Sequence, residues 1–188
     1  MRRIFIGTLV VLTIALINGC ANRKITRVDP NETIDLSGRW NDSDSRLVSE
    51  EMIGDLLTSA WIPRYLKAND KRPVVVVGLV ENKSHEHINS ETFIKDVEKA
   101  IIRDGNIRLV VAGEKRNELR KERAEQQDYA SPETTKKWGK ELGANFILQG
   151  TINSIVDSYK KQKVVTYQID LQLTNIETNE VVWMGDKK

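Results

Sequence analysis

The chain has 188 residues, with 29 Lys and Arg against 27 Asp and Glu, and a single cysteine. This near balance of charge excludes the strongly basic surface of a nucleic-acid-binding protein. One cysteine also excludes an intrachain disulfide and a multi-thiolate metal site. The fold must therefore rest on its apolar core, for which a chain of this length is large enough.

The N-terminus has the pattern of a lipoprotein signal. Two arginines precede an apolar run at residues 4–17, and a small residue, Gly19, stands immediately before Cys20. The run is shorter than the roughly 17 to 25 residues that cross a bilayer. We therefore predict that residues 1–19 are a signal peptide and that Cys20 is lipidated. Two or more acyl chains would make such anchoring stable.

Residues 20–44 are predicted to be the lipidated cysteine and a short polar tether. Leu36 and Trp40 are apolar residues of the kind that usually dock, so we expect the tether to lie against the domain from about residue 34. The globular domain is predicted to occupy residues 45–188.

The domain is expected to begin with a helix and a buried strand. Asp44 or Ser45 is predicted to cap the helix, and Pro63 to stop it. Residues 73–80 are a continuous β-branched run, which is typical of a strand buried on both faces near the middle of a sheet. The predicted helix has one buried stripe, formed by Val48, Met52, Ile53, Leu56 and Ala60.

A β-α-β unit follows from the next two elements. Ser90 is predicted to cap a second helix, which Gly105 ends in the left-handed conformation that such ends favour. Residues 107–111 follow as a strand, parallel to the first if both share a sheet. The helix has one apolar face, formed by Phe93, Ile94, Val97 and Ile101.

Residues 114–127 are rich in charge and predict a helix that lies largely in solvent. This helix is either an ordinary solvated face or a docking surface for a partner, and Glu118 and Arg123 are its candidate contacts. Ser131-Pro132-Glu133 predicts the start of another helix, which would end at Gly143.

The last third of the chain predicts strands at 146–155, 164–173 and 181–184. In the second of these, apolar and polar residues alternate, as in a sheet with one wet face. Short polar turns connect the strands into an antiparallel meander. The predicted fold class is α+β, with a mixed sheet that has a β-α-β start and a C-terminal antiparallel meander, and with helices packed on one face.

The motifs of common enzymes are absent from the sequence, which has no Gly-rich phosphate loop, nucleophile elbow or His-Glu-x-x-His helix. His85 and His87 are the only histidines. Together with Glu81 or Glu86 they would suit a zinc ion, but a solvated loop is the simpler interpretation. We expect no cofactor and no catalytic residue.

The four tryptophans suggest both packing and contact positions. Trp138 and Trp183 have the spacing of packed residues. Trp40 and Trp61 lie near the ends of segments, so they are candidate partner contacts, a role in which tryptophan is enriched.

Four segments, taken together, carry a resemblance to a known family. They are Gly19-Cys20, residues 74–80 followed by Glu81-Asn82-Lys83-Ser84, residues 139–150, and residues 167–183. Their order and spacing resemble the LpoB family, the outer-membrane lipoprotein activators of penicillin-binding proteins. The fold is also similar to the amino-terminal domain of TolB and to the curli secretion channel subunit.

The resemblance implies a monomeric, non-enzymatic regulator anchored by its lipid in the outer membrane and facing the periplasm. Its partner would be a bifunctional penicillin-binding protein, which it would activate to promote peptidoglycan synthesis. Ala21, where an Asp often means inner-membrane retention, agrees with enteric sorting to the outer membrane. Asn82 and Lys83, in one of the resembling segments, are further candidate partner contacts.

Two alternatives belong to other classes of protein. The first is a structural or accessory lipoprotein subunit of an envelope or secretion assembly, which a long amphipathic membrane-inserting hairpin would support. The second is an enzyme, which would need a cleft with perturbed acids, or a metal at His85 and His87.

Overall fold

The computed structural model describes residue 29, residues 38–134 and residues 141–188. Residues Met1–Glu32 and Thr33–Lys188 form separate compact units, and only Asp29 of the first is described. The predicted signal peptide, Cys20 and most of the predicted tether therefore lie outside the described residues. Within the part described, no helix combines the length and the apolar character needed to cross a membrane.

The second unit is an α+β domain built on one five-stranded sheet. The strand order is β2-β1-β3-β4-β5, with β1 parallel to β2 and β3, and with β4 antiparallel to β3 and β5. This arrangement confirms the predicted fold class, with its β-α-β start and antiparallel meander. The elements in chain order are α1 (Asp42–Thr58), α2 (Trp61–Asn69), β1 (Val74–Asn82), α3 (Ser90–Asp104), β2 (Arg108–Val110), α4 (Gly113–Tyr129), β3 (Phe146–Tyr159), β4 (Gln162–Asn175) and β5 (Val181–Lys187).

The first helical region differs from the prediction at both ends. Asn41, not Asp44 or Ser45, caps α1: its Oδ1 accepts from the backbone N–H groups of Ser43 and Asp44, and Asp44 Oδ2 accepts from Asn41 N at 3.0 Å. This reciprocal pair is a capping box. Pro63 does not stop a helix but lies in the first turn of α2, where a missing N–H costs nothing.

The core lies between the sheet and the helices α1 and α3. Val75, Val77 and Val80 of β1 face Phe93, Val97 and Ile101 of α3. Beyond them lie the inward residues of the meander, Leu148, Ile152, Ile169, Leu171, Leu173 and Trp183. All four valines at 74–77 are buried, which confirms a strand covered on both faces. β1 is interior as predicted, but the middle strand is β3.

The end of α3 and the exposure of α4 test two further predictions. Gly105 ends α3 with φ of 77°, in the left-handed conformation that was predicted. α4 has no buried residue, which confirms a helix lying largely in solvent. The predicted helix at 131–143 falls mainly on residues 135–140, outside the described residues. Its described flanks form a turn at 132–134 and carry no helix at 141–143.

Gly150 of β3 lies directly beside the backbone of β4. A Cβ atom at this position would lie 2.1 Å from the Asp170 carbonyl oxygen and 2.6 Å from Leu171 Cδ2. Since the carbonyl oxygen belongs to the backbone of the paired strand, it cannot move without disturbing the ladder. Only glycine fits here.

We therefore expect Gly150→Ala to lower the free energy of unfolding by about 3 kcal/mol, the upper end of the range for overpacked cores. Gly54→Ala is the matched control, because nothing lies within 4 Å of a Cβ added there, in the interior of α1. That change should raise stability by up to about 1 kcal/mol. Urea unfolding measures both, and a Gly150→Ala protein as stable as the parent would contradict the steric argument.

Candidate functional site

The Asn82 side chain organises the loop that follows β1, residues 83–89, which we call the Asn82 loop. Its Nδ2 donates to the carbonyl oxygens of Glu86, at 2.8 Å, and Ile88, at 3.2 Å. Its Oδ1 accepts from the backbone N of Ser84 at 3.0 Å and from the Ser84 hydroxyl at 2.7 Å. One carboxamide therefore closes the loop through all of these bonds, as asparagine does in Asx turns.

The same loop is fixed against β3. Lys83 N donates to Ile152 O at 2.8 Å, which continues the β1–β3 pairing by one residue. His85 N donates to Ser154 Oγ at 2.9 Å, and His85 Nδ1 lies 2.7 Å from the same hydroxyl. The loop ends at Asn89, which caps α3 by accepting from Glu91 N at 2.9 Å and Thr92 N at 3.4 Å. The cap predicted at Ser90 therefore lies one residue earlier.

Trp40 and Tyr167 join the start of the domain to this end of the sheet. The Tyr167 hydroxyl accepts from Trp40 N at 3.2 Å, and the two rings meet edge to face with centroids 5.6 Å apart. The Trp40 ring also meets the Phe93 ring edge to face, with centroids 6.4 Å apart. Burial raises the pKa of the Tyr167 hydroxyl, and its interaction with the Glu86 carboxylate raises it further. The hydroxyl therefore stays neutral at physiological pH.

A cleft of about 270 Å³ opens between the Asn82 loop, the start of the domain and the β3–β4 pair. Arg39 and Glu86 face each other across it at 3.7 Å. Its volume is below the roughly 300 to 1,000 Å³ of a usual ligand pocket. The cleft therefore suits a side chain of a partner better than a free ligand. The lining residues are Arg39, His85, Glu86, His87, Val156, Lys163 and Val165.

A zinc site at His85 and His87 would need a third protein ligand close to both imidazoles. Within the described ranges, no three His, Cys, Asp or Glu side chains come together as a metal site. The His85 ring is instead engaged with Ser154 Oγ. These contacts favour a built, hydrogen-bonded loop over a metal centre.

A second cluster of charge ties α4 to the chain just before β3. The Glu141 carboxylate accepts hydrogen bonds from Nε and Nη2 of Arg120, both at 2.9 Å. It also forms an ion pair with Nη1 of Arg123 at 3.2 Å. The Arg120 guanidinium holds the pKa of the Glu141 carboxyl below its usual range. Arg116 Nε also donates to Val111 O at 2.8 Å. These polar contacts fix a helix that buries no side chain.

The predicted contact residues fall into different environments. Trp40 is half-buried, and Arg123 is partly engaged by Glu141. Glu118 is exposed on α4, and the Lys83 side chain is 52% exposed beside Glu81. Asn82 directs its carboxamide into its own loop. Asn82 and Lys83 therefore belong to one site, whereas Glu118 and Arg123 belong to another.

Trp61 lies in the core, with 5% of its surface exposed. Its Nε1 donates to Leu56 O at 2.8 Å, and its ring packs on Phe146 at 5.2 Å. The expectation of an exposed position at a segment end fails because α2 folds this residue under the sheet. We therefore do not carry Trp61 into the proposed contact surface. Trp183 packs as expected, whereas Trp138 and Cys20 lie outside the described residues.

Sequence reasoning missed several residues that build the site. Tyr167 was placed only as an inward residue of an alternating strand, yet its hydroxyl serves Trp40. Ser154 and Glu141 gave no signal, because their partners are distant in sequence. Arg39 next to Trp40 was the one available hint, since a docking tryptophan brings its neighbour to the same surface.

Comparison with known proteins gives one family match. The model of the family described as peptidoglycan-synthase activator LpoB matches residues 44–188. A comparison with curated proteins found no match.

Solved structures that match the chain are distant in sequence. The LpoB C-terminal domain from Escherichia coli is 18% identical, covers 76% of this chain and 96% of its own, and has a TM-score of 0.43. The corresponding domain from Salmonella enterica is 18% identical, with coverages of 69% and 97% and a TM-score of 0.38. Lipoprotein GNA1162 from Neisseria meningitidis is 14% identical, with coverages of 61% and 80% and a TM-score of 0.37.

The Asn82 loop supplies one testable consequence. Asn82→Ala removes the Nδ2 donor to the Ile88 carbonyl group and one of the donors to the Glu86 carbonyl group, which should cost about 1 to 3 kcal/mol and speed amide hydrogen exchange across residues 83–89. Asn69→Ala, which removes a single exposed bond to Tyr65 O, is the control and should change stability by less than about 0.5 kcal/mol. Unchanged exchange in the loop would show that Asn82 does not hold it.

The ion pairs of Glu141 with Arg120 and Arg123 supply a second testable consequence. Glu141→Gln should release α4, seen as faster amide exchange in residues 116–126, whereas Glu125→Gln, within α4, should not. Because the folded pKa of Glu141 is lowered, its contribution is complete above the ordinary glutamate pKa of about 4.3 and is lost as the pH falls through the lowered value. In the unsubstituted protein, the rate of amide exchange in α4, corrected for intrinsic rates, should rise as the pH falls through the acid range. A corrected rate that does not change with pH would refute this attachment.

Proposed function

Because the chain belongs to the LpoB family of peptidoglycan-synthase activators, we propose that it is a lipid-anchored periplasmic regulator that binds and activates a bifunctional penicillin-binding protein. The observation that carries the proposal is the family match, which extends over residues 44–188 and so includes all nine helices and strands of the described domain except the first two residues of α1.

The anchor rests on the N-terminal sequence. The basic start, the apolar run at 4–17 and the small residue before Cys20 together favour cleavage and acylation at this cysteine. Ala21 then favours the outer membrane under the enteric sorting rule. Mass spectrometry of the N-terminal peptide from the protein made in cells tests this part separately, because acylation adds a mass that an unprocessed Cys20 lacks.

The contact surface is proposed at the Asn82 loop. Asn82 spends its hydrogen-bonding capacity inside the loop, so it acts as a positioning residue. Lys83 is one of the side chains that the loop presents to solvent, with Glu81 as its neighbour at 3.2 Å. Trp40 supports the same end of the domain through Tyr167 and Phe93. A preorganised loop of this kind binds with little further ordering, which favours affinity.

Glu118 and Arg123 form a second proposed contact on α4. Arg123 is shared with Glu141, and Glu118 faces solvent, so these two residues offer mixed charge and no apolar contact of their own. Charge of this kind steers association and sets register more than it adds affinity. We therefore assign the stronger contribution to the Asn82 loop.

Activation without catalysis by the regulator requires that it bind two states of the synthase unequally. A regulator that bound both states equally would shift nothing, however tight the complex. The regulator must therefore contact a part of the synthase that differs between the less active and the more active state. The regulator itself is proposed to carry no catalytic residue and no cofactor.

The proposal is tested by recovering a synthase and measuring its rate. The chain from residue 21 onward, used as bait with detergent-solubilised envelope, should recover a penicillin-binding protein and accelerate its lipid II polymerisation. Recovery of no synthase, or of one whose rate does not change, would place the chain outside this role and favour an accessory subunit of an envelope assembly.

Substitution at the Asn82 loop sharpens the test. Lys83→Gln should weaken synthase binding about tenfold, as the loss of one well-placed contact does. Lys99→Gln is the matched control, because Lys99 is similarly exposed and also pairs with a neighbouring acid, Asp96, but lies on α3. Equal loss in both variants would mean that only net charge matters, and no loss in either would move the contact surface away from the loop.

A further inference from the structure

The β3–β4 pair extends beyond the five-stranded sheet as a two-stranded ribbon. β1 pairs with β3 only as far as Ile152, and β5 pairs with β4 only as far as Ile169. Beyond these positions, in the part of the chain that is described, residues 153–159 and 162–168 pair only with each other. Seven residue pairs at about 3.3 Å per residue give a projection of roughly 20 Å.

One face of the ribbon carries three exposed apolar side chains together with Asp157, whereas Lys163 lies on the opposite face and lines the cleft. Ile155, Tyr159 and Val164 lie on the same face, because residues two apart on a strand, and residues directly opposite on the paired strand, point the same way. Their exposed fractions are 62%, 69% and 62%. Three large apolar side chains close together on a narrow ribbon are an unusual surface for a solvated hairpin.

The tip of the ribbon is cationic. Lys160 and Lys161 form the turn and Lys163 follows, whereas Asp157 is the only acidic residue between 155 and 164. Lys160 Nζ lies 5.1 Å from the centroid of the Tyr159 ring. Within the described residues none of the three lysines forms an ion pair. Aromatic and apolar residues surrounded by lysine suit the boundary between lipid headgroups and acyl chains.

The described domain begins at the same end. Trp40 N donates to Tyr167, which pairs with Ser154 at the base of the ribbon, and Arg39 lines the same cleft as Lys163. The chain from Cys20 to Gly38 spans at most about 60 Å when fully extended. A membrane that holds Cys20 therefore lies within reach of the ribbon, a step that rests on the lipid anchor of the proposed function.

We propose that the ribbon tip docks on an anionic membrane surface through Lys160 and Lys161, with Tyr159, Ile155 and Val164 contacting the headgroup region. The ribbon does not span the bilayer, since seven residues per strand fall short of the roughly 9 to 11 that a crossing strand needs. Surface attachment adds a second, reversible signal to the lipid and orients the domain relative to its membrane.

The experiment uses the chain from residue 21 onward, which lacks the predicted anchor but retains the whole compact unit Thr33–Lys188. It should co-sediment with vesicles of phosphatidylcholine and phosphatidylglycerol far more than with phosphatidylcholine alone, and less as salt rises. The double variant Lys160→Gln, Lys161→Gln should lose roughly 25-fold in partition, because each lysine near an anionic surface contributes about fivefold. Tyr159→Ser should weaken partition without changing its salt dependence.

The matched control removes the same charge elsewhere, with Lys67→Gln and Lys71→Gln, both at exposed positions. This control should partition like the parent. An equal loss in the control, or a parent chain that does not distinguish the two vesicles, overturns the proposal. So does a ribbon variant that sediments normally but no longer recovers the synthase, because the ribbon would then be a protein interface.

Circular dichroism is used to check that each variant is folded. The absence of the predicted anchor from this chain separates the two proposals. Failure of vesicle binding leaves the polymerisation assay and the mass of the Cys20 peptide as independent readouts of the proposed function.

Discussion

β3 and β4 pair along their whole lengths, from Phe146 with Asn175 to Tyr159 with Gln162, and every other strand is added to this pair. β1 and then β2 join on the side of β3, whereas β5 joins on the side of β4. The inward side chains of the pair supply the floor on which α1 and α3 pack. The glycine at position 150 permits the close approach at the centre of this pair, so the architecture depends on the absence of a side chain there.

The same pairing sets the position of the candidate site. Since Asn82 pairs with Ile152, the chain leaves β1 at a fixed height along β3, and the Asn82 loop meets Ser154 two residues further on. Tyr167 lies opposite Ser154 on β4 and reaches Trp40. The register of one sheet thus brings together the start of the domain, the Asn82 loop and the base of the ribbon.

Much of this fold was predictable because its signals are periodic. The alternation in β4 and the valine run in β1 identified both strands, and the apolar stripe of α3 identified that helix. The cap of α1 was not, because Asn41 begins a run of residues that all cap helices well, and only tertiary packing selects among them. α2 was missed because proline was taken as a stop. The site was only partly predictable: Asn82 and Lys83 came from a family resemblance, whereas the contacts of Tyr167, Ser154 and Glu141 join residues far apart in the chain.

α4 stands apart from this interdependence. It buries no side chain and meets the rest of the domain mainly through arginines and one glutamate. Packing in the core therefore places almost no restriction on which residues occupy its outer surface. Relatives that meet different partners are free to change the length and charge of this segment over evolutionary time while keeping the sheet intact, so divergence in recognition need not be accompanied by divergence in fold.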